Sequence, residues 1–149
     1  MARISVTEEY LDYHDQYIKK FGKDKTLVLM QVGSFYEMYD LVNVHTGESK
    51  ANVQELVEYL GRYVSPKPTS DPEWNHLFWG FPDHSLPIYE KKLVEGNYTV
   101  VVISQTNDNL GNVLSRDLKH ILSPGTYIDM EYQNNERNIT DRHIVSILI

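Results

Sequence analysis

At 149 residues, with 41% hydrophobic and 23% charged residues, the chain suits one globular domain with a single core. It has no cysteine, which excludes disulfides and Cys-based zinc sites. The formal net charge of −7 removes the long-range attraction by which basic proteins hold phosphates, and the 14 Lys and Arg residues are scattered apart from Lys19, Lys20, Lys23 and Lys25.

The first residues carry no apolar h-region, and apolar runs such as Thr99 to Ile103 and Ile144 to Ile149 are too short to span a bilayer; a soluble, intracellular chain with no membrane partner is expected. In chain order, residues 5–21 predict an amphipathic helix. Ser5 with Glu8 matches a capping box, Tyr10, Leu11, His14, Tyr17, Ile18 and Phe21 recur at helical spacing, and Gly22 stops the run. Thr26 to Gln31 predicts a buried strand, Gly33 a bend, and Ser34 to Tyr39 a second extended segment. Ala51 to Leu60 fits a second helix with Val53, Leu56, Val57 and Leu60 as its stripe and Gly61 as its end.

The Pro-rich stretch from Tyr63 to Trp74 predicts a surface loop, and Leu77 to Phe81 a short strand. His84 or Ser85 is placed to cap a third helix that tolerates Pro87 in its first turn and stops at Gly96. Tyr98 to Gln105, rich in Val, Ile and Tyr, and Arg116 to Leu122 predict two more strands around a polar turn at Asn107 to Asn112. The alternation implies an α/β (α+β) fold: a small mixed sheet flanked by about three helices. Residues 1–130 form the expected domain. The polar stretch Glu131 to Arg142 is expected to be a linker, with Ile144 to Ile149 as the first strand of a following domain, so that 131–149 stand apart.

The chemistry concentrates in Gly33-Ser34-Phe35-Tyr36-Glu37. If extended, Phe35 and Glu37 point to one face, roughly 7 Å apart. An aromatic ring can wedge into a base step, unstacking and kinking the duplex, and a neighbouring carboxylate can accept a hydrogen bond from a base edge. Kinking costs less where pairing is defective, so such a pair selects damaged geometry rather than a sequence. A core aromatic followed by a solvated strand carboxylate is the favoured reading of these five residues by themselves.

Four further segments join them. Gly80-Phe81-Pro82-Asp83-His84 is a Gly-X-Pro-X-His turn, followed by Tyr89, Leu93 and Val94. Gln105 ends a strand, and Ser123-Pro124-Gly125-Thr126 is similar to Thr-Pro-Gly-Thr. With Phe35-Tyr36-Glu37 as Phe-X-Glu, the order and spacing resemble the first, mismatch-recognition domain of the MutS DNA-repair family from about Tyr10 to Thr126. The resemblance implies that Phe35 stacks on a mispaired or unpaired base from the minor groove and that Glu37 hydrogen-bonds it. Gly33, Gly80, Pro82, His84, Pro124 and Gly125 then form the supporting motif. It also implies double-stranded DNA with a mismatch or unpaired base as partner, a second MutS-type protomer, and an ATP- and Mg-dependent ATPase in the rest of the full-length protein. For this chain it implies no cofactor and no enzymatic activity.

The sequence departs from the family at Gln31-Val32-Gly33-Ser34, where Arg-X-Gly-Asp is common, and at Ser104, where Glu is usual. The lost Arg puts a phosphate contact in doubt. An interaction module that keeps the fold without mismatch reading is therefore the alternative, and a hydrolase built on Glu37, Asp83 and His84 is a third. His76 and His84 have no recognised ligand spacing, so no metal site is expected, and His84 is expected to cap a helix and pack. There is no P-loop.

Overall fold

The computed structural model describes residues 5–125. They form one mixed six-stranded sheet with three α-helices: α1 (Val6–Phe21), β1 (Thr26–Val32), β2 (Phe35–Asn43), α2 (Val53–Tyr59), β3 (Ser65–Pro66), β4 (Trp74–Pro82), a 3-10 turn (Asp83–Ser85), α3 (Leu86–Glu95), β5 (Thr99–Asn107) and β6 (Val113–Leu122). Strand order is β3-β4-β2-β1-β5-β6, with β1 and β5 parallel and every other pair antiparallel. The expected linker and strand of residues 131–149, and Thr126, lie outside the described residues.

Ser5 caps α1: its hydroxyl accepts from the Glu8 N–H at 3.1 Å and donates to Glu8 Oε1 at 3.3 Å, so that the N-cap half of the box forms. The helix buries Tyr10, Leu11, His14 and Tyr17, while Ile18 is half-buried and Phe21 stays 41% exposed. Strand parity places the helices. Tyr39 meets Tyr10 of α1 edge-on, whereas Tyr36 stacks on Phe81, which stacks on Tyr89 of α3. Residues 36 and 39 differ in parity, so α1 and α3 cover opposite faces. The α2 residue Tyr59 donates to the Lys92 carbonyl and sets α2 beside α3. Leu27 to Met30 and Val100 to Ile103, fully buried, form the centre of the core.

Three expectations change. The segment from Tyr63 to Trp74 is not all loop, because Ser65 and Pro66 pair with Phe78 and Leu77 as an edge strand. The strand expected at Leu77 to Phe81 runs the nine residues of β4, its full length set by pairing with β2. Neither His84 nor Ser85 caps α3 by its side chain; a 3-10 turn leads into the helix, and His84 is exposed instead of packed. Gly96 caps the end of α3 as expected, and the left-handed residue follows it at Asn97 (φ 69°). A Cβ at Gly96 would lie 2.6 Å from the Tyr59 hydroxyl, so a larger residue there would push the end of the Tyr59 ring aside.

Candidate nucleic-acid interface

The β1–β2 connection is a two-residue hairpin, Gly33-Ser34, closed by the Val32–Phe35 pair. Gly33 has φ 63° and Ser34 does not share the positive value, the pattern of a type II′ turn with glycine first. Gln105 clamps this turn from β5. Its Oε1 accepts from the Gly33 N–H (3.2 Å), its Nε2 donates to the Gly33 carbonyl (2.9 Å), and its own N–H donates to Gln31 Oε1 (3.0 Å). Arg116 Nε donates to the Gln31 carbonyl, and the Asp83 N–H donates to the Ser34 carbonyl, each at 2.8 Å. The turn is thus tied to three other segments.

Phe35 leaves this turn with 37% of its surface exposed, flanked by Val32 and Pro82. Its neighbour Tyr36 points the other way and is buried, its hydroxyl 2.9 Å from Ser104 Oγ. Glu37 shares the Phe35 face, is half-buried, and lies opposite Gly80. A Cβ on residue 80 would come within 2.7 Å of Glu37 Cγ and 2.8 Å of the Tyr36 carbonyl oxygen, so glycine makes the floor on which the Glu37 chain lies. The Tyr39 hydroxyl donates to Glu37 Oε1. Burial and that hydrogen bond push the Tyr39 hydroxyl pKa up, so it remains a donor.

The structure brings Gly33, Phe35, Glu37, Gly80 and Pro82 to one rim of the sheet. It does not bring the rest. His84 lines a hollow on the α3 face with Tyr36, Glu90 and His120, across β2 from Glu37, so Glu37, Asp83 and His84 do not assemble as a hydrolase would need. Pro124 and Gly125 follow Leu122, which pairs with Val100 near the other end of the sheet. His76 bonds Asp71, and among the described residues no group of three or more His, Asp or Glu could hold a metal ion. No described helix is long and apolar enough to cross a membrane.

The sequence reading assigns no role to Tyr39 or to the pairing of Gln31 with Gln105, which the structure places against Glu37 and the turn. The period of two from Phe35 through Glu37 to Tyr39 was the available signal for the first. The second required knowing that β5 lies parallel beside β1. The lysine cluster is not at this rim: Lys23 and Lys25 precede Thr26, at the end of β1 away from the turn. Arg116, on the neighbouring stretch of β6, is committed to Glu9 at 2.7 Å.

Fold and rim together define a class: a small mixed-sheet α+β domain that displays an aromatic ring and a half-satisfied carboxylate from a fixed hairpin. Residues 12–131 match the family model for MutS domain I, and the chain belongs to that family. It is 30% identical over 134 residues to a DNA mismatch repair protein MutS of Persephonella marina, covering 85% of this chain and 13% of that protein. The MutS protein of Macrococcus caseolyticus is 28% identical over 132 residues, covering 87% and 13%. A mutS homologue of Acanthamoeba polyphaga mimivirus is 30% identical over 134 residues, covering 87% and 11%. The chain thus spans little more than a tenth of the length of these relatives.

Proposed function

We propose that this chain is the mismatch-reading domain of a MutS-type DNA-repair protein, with Phe35 as the wedge and Glu37 as the reader of the unstacked base. The observation that carries the reading is Phe35 itself, an exposed aromatic at a turn locked by Gln105 and Asp83, with a carboxylate on the same face. A preorganised ring enters a base step without first ordering its own loop. Stacking on the displaced base contributes about 1–3 kcal/mol, and opening the step costs least where pairing is already broken. In this reading the chain performs no catalysis. Backbone clamping, the second protomer and the Mg-dependent ATPase belong to the rest of the full-length protein, which offsets the net charge of −7.

Phe35→Ala in the full-length protein tests it. Preference for a mismatched over a matched duplex should fall about ten- to a hundredfold, with the circular dichroism spectrum unchanged. An unaltered preference would sink the wedge.

The alternative, an interaction module without mismatch reading, is favoured by Gln31. Where the family commonly carries Arg, this neutral side chain is engaged with the Gly33 carbonyl (3.4 Å) and the Gln105 N–H and brings no charge for a phosphate. Equal affinity of the wild-type protein for matched and mismatched duplexes would select it.

A further inference from the structure

We propose that Tyr39 is a positioning residue for base reading: its hydroxyl fixes one oxygen of Glu37 and leaves the other to accept from the displaced base. This rests on the reading of Phe35 and Glu37 given above. Tyr39 is itself held on every side. Its ring stacks on Phe78 (centroids 6.2 Å), meets Tyr10 edge-on (5.8 Å), and lies under the Lys67 ammonium (4.9 Å), which also donates to Thr7 Oγ1 at 3.4 Å. Only 5% of the residue is exposed, so the hydroxyl is a fixed donor rather than a rotating surface group.

Glu37 is confined between this donor and the Gly80 floor. Among the described residues no hydrogen bond reaches its second oxygen. The phenol also withdraws part of the carboxylate's charge from the groove, where it would oppose phosphates. A carboxylate so held meets a base N–H with little orientational freedom left to lose. With phenylalanine at 39 the same carboxylate would swing about its side-chain torsions and present both oxygens to the duplex.

The test is a double-mutant cycle in the full-length protein, measuring affinity for a mismatched and a matched duplex. Tyr39→Phe keeps the ring and removes only the hydroxyl. Its mismatch preference should fall about tenfold, the factor for losing one hydrogen bond to a charged group. In a Glu37→Ala background the same change should leave the preference unaltered. A purely structural effect would persist there, and would overturn the proposal, as would a wild-type preference in the single Tyr39→Phe variant. Phe35→Ala runs in parallel. If it leaves mismatch preference intact, the base-reading role itself is wrong; if it abolishes preference while Tyr39→Phe changes nothing, only the role of Tyr39 is. Thermal midpoints of all variants guard against misfolding, and Glu37→Gln, which retains an oxygen to accept from Tyr39, should restore sensitivity to Tyr39→Phe.

Discussion

Two carboxylates three residues apart on β2 have opposite fates. Asp40 is fully buried and saturated: it accepts from the N–H groups of Leu41 (2.8 Å), Ala51 (2.8 Å) and Val53 (3.1 Å) and from the Ser49 hydroxyl. Glu37 is half-buried and, among the described residues, accepts from Tyr39 alone. The parity of the strand sends them to opposite faces, Asp40 to the loop before α2 and Glu37 to the rim beside Phe35. Asp40 supplies what the left-handed Asn52 does not, since Asn52 makes no side-chain cap to α2. Asp40 has a full complement of donors, whereas the proposed reading needs Glu37 to keep an acceptor for the base.

Asp40→Ala should break this contrast most severely. It strands two buried N–H groups, each costing about 1–3 kcal/mol, so a loss of about 3–5 kcal/mol is expected. The denaturant midpoint should fall with its slope unchanged, and Asp40→Asn should recover part of the loss. A cost below about 1 kcal/mol would mean that the loop before α2 is held by something else. Glu37→Ala strands one donor, the Tyr39 hydroxyl, at about 1–3 kcal/mol, and so should cost less stability than Asp40→Ala while diminishing mismatch preference. If the two variants lose stability equally, the distinction between saturated and poised carboxylates is wrong.

Gly80→Ala sharpens the comparison from beneath. The new Cβ would press on both the Glu37 side chain and the Tyr36 carbonyl, a backbone atom that cannot swing aside. About 1–3 kcal/mol of destabilisation is expected, together with a fall in mismatch preference, because Glu37 must leave its floor. Gln105→Leu acts one step further away. It removes two hydrogen bonds to Gly33, worth about 1–2 kcal/mol together, and should be seen as faster hydrogen exchange at the Gly33 amide. Unchanged exchange would show that Asp83 and the hairpin pairing hold the turn unaided.

Much of this was legible before any coordinates. The Ser5 cap of α1, the stripes of α1 and α2, and the apolar β1 and β5 follow from periodicity, because each buries a face whose repeat the sequence displays. The Phe-X-Glu motif located the rim. What was not legible depends on distant partners. The two-residue β3 exists only because β4 passes beside it. Gly96 lies against the ring end of Tyr59, 37 residues earlier. The grip of Gln105 on Gly33 spans 72 positions, and nothing local in either segment announces it. His84 misled for a related reason: the 3-10 turn begins the helix without a side-chain cap, and so leaves the imidazole outside.

His14 is a third kind of titratable group and gives the smallest expected effect. Like Asp40 it is buried (3% exposed), but its Nδ1 has no hydrogen-bond partner among the described residues. Burial is the largest influence and lowers its pKa below the ordinary 6.5, against the opposing pull of Asp15, Asp40 and the Lys50 carbonyl. The unfolded chain therefore binds a proton at a higher pH than the folded one. The stability that His14 contributes in its neutral form is complete above pH 6.5 and falls as the pH drops from there toward the depressed folded value. The slope in that window cannot exceed about 1.4 kcal/mol per pH unit for one proton. His14→Phe preserves a ring against Tyr10, which His14 now stacks on at 6.3 Å, and removes the titration. Denaturation measured on both proteins from pH 7.5 down to about pH 5.5 should show their stability difference shifting toward the variant as the acid side is entered. A difference that stays constant across the window would mean that Asp15, Asp40 and the Lys50 carbonyl cancel the effect of burial, and one that shifts toward the wild type would mean that they outweigh it.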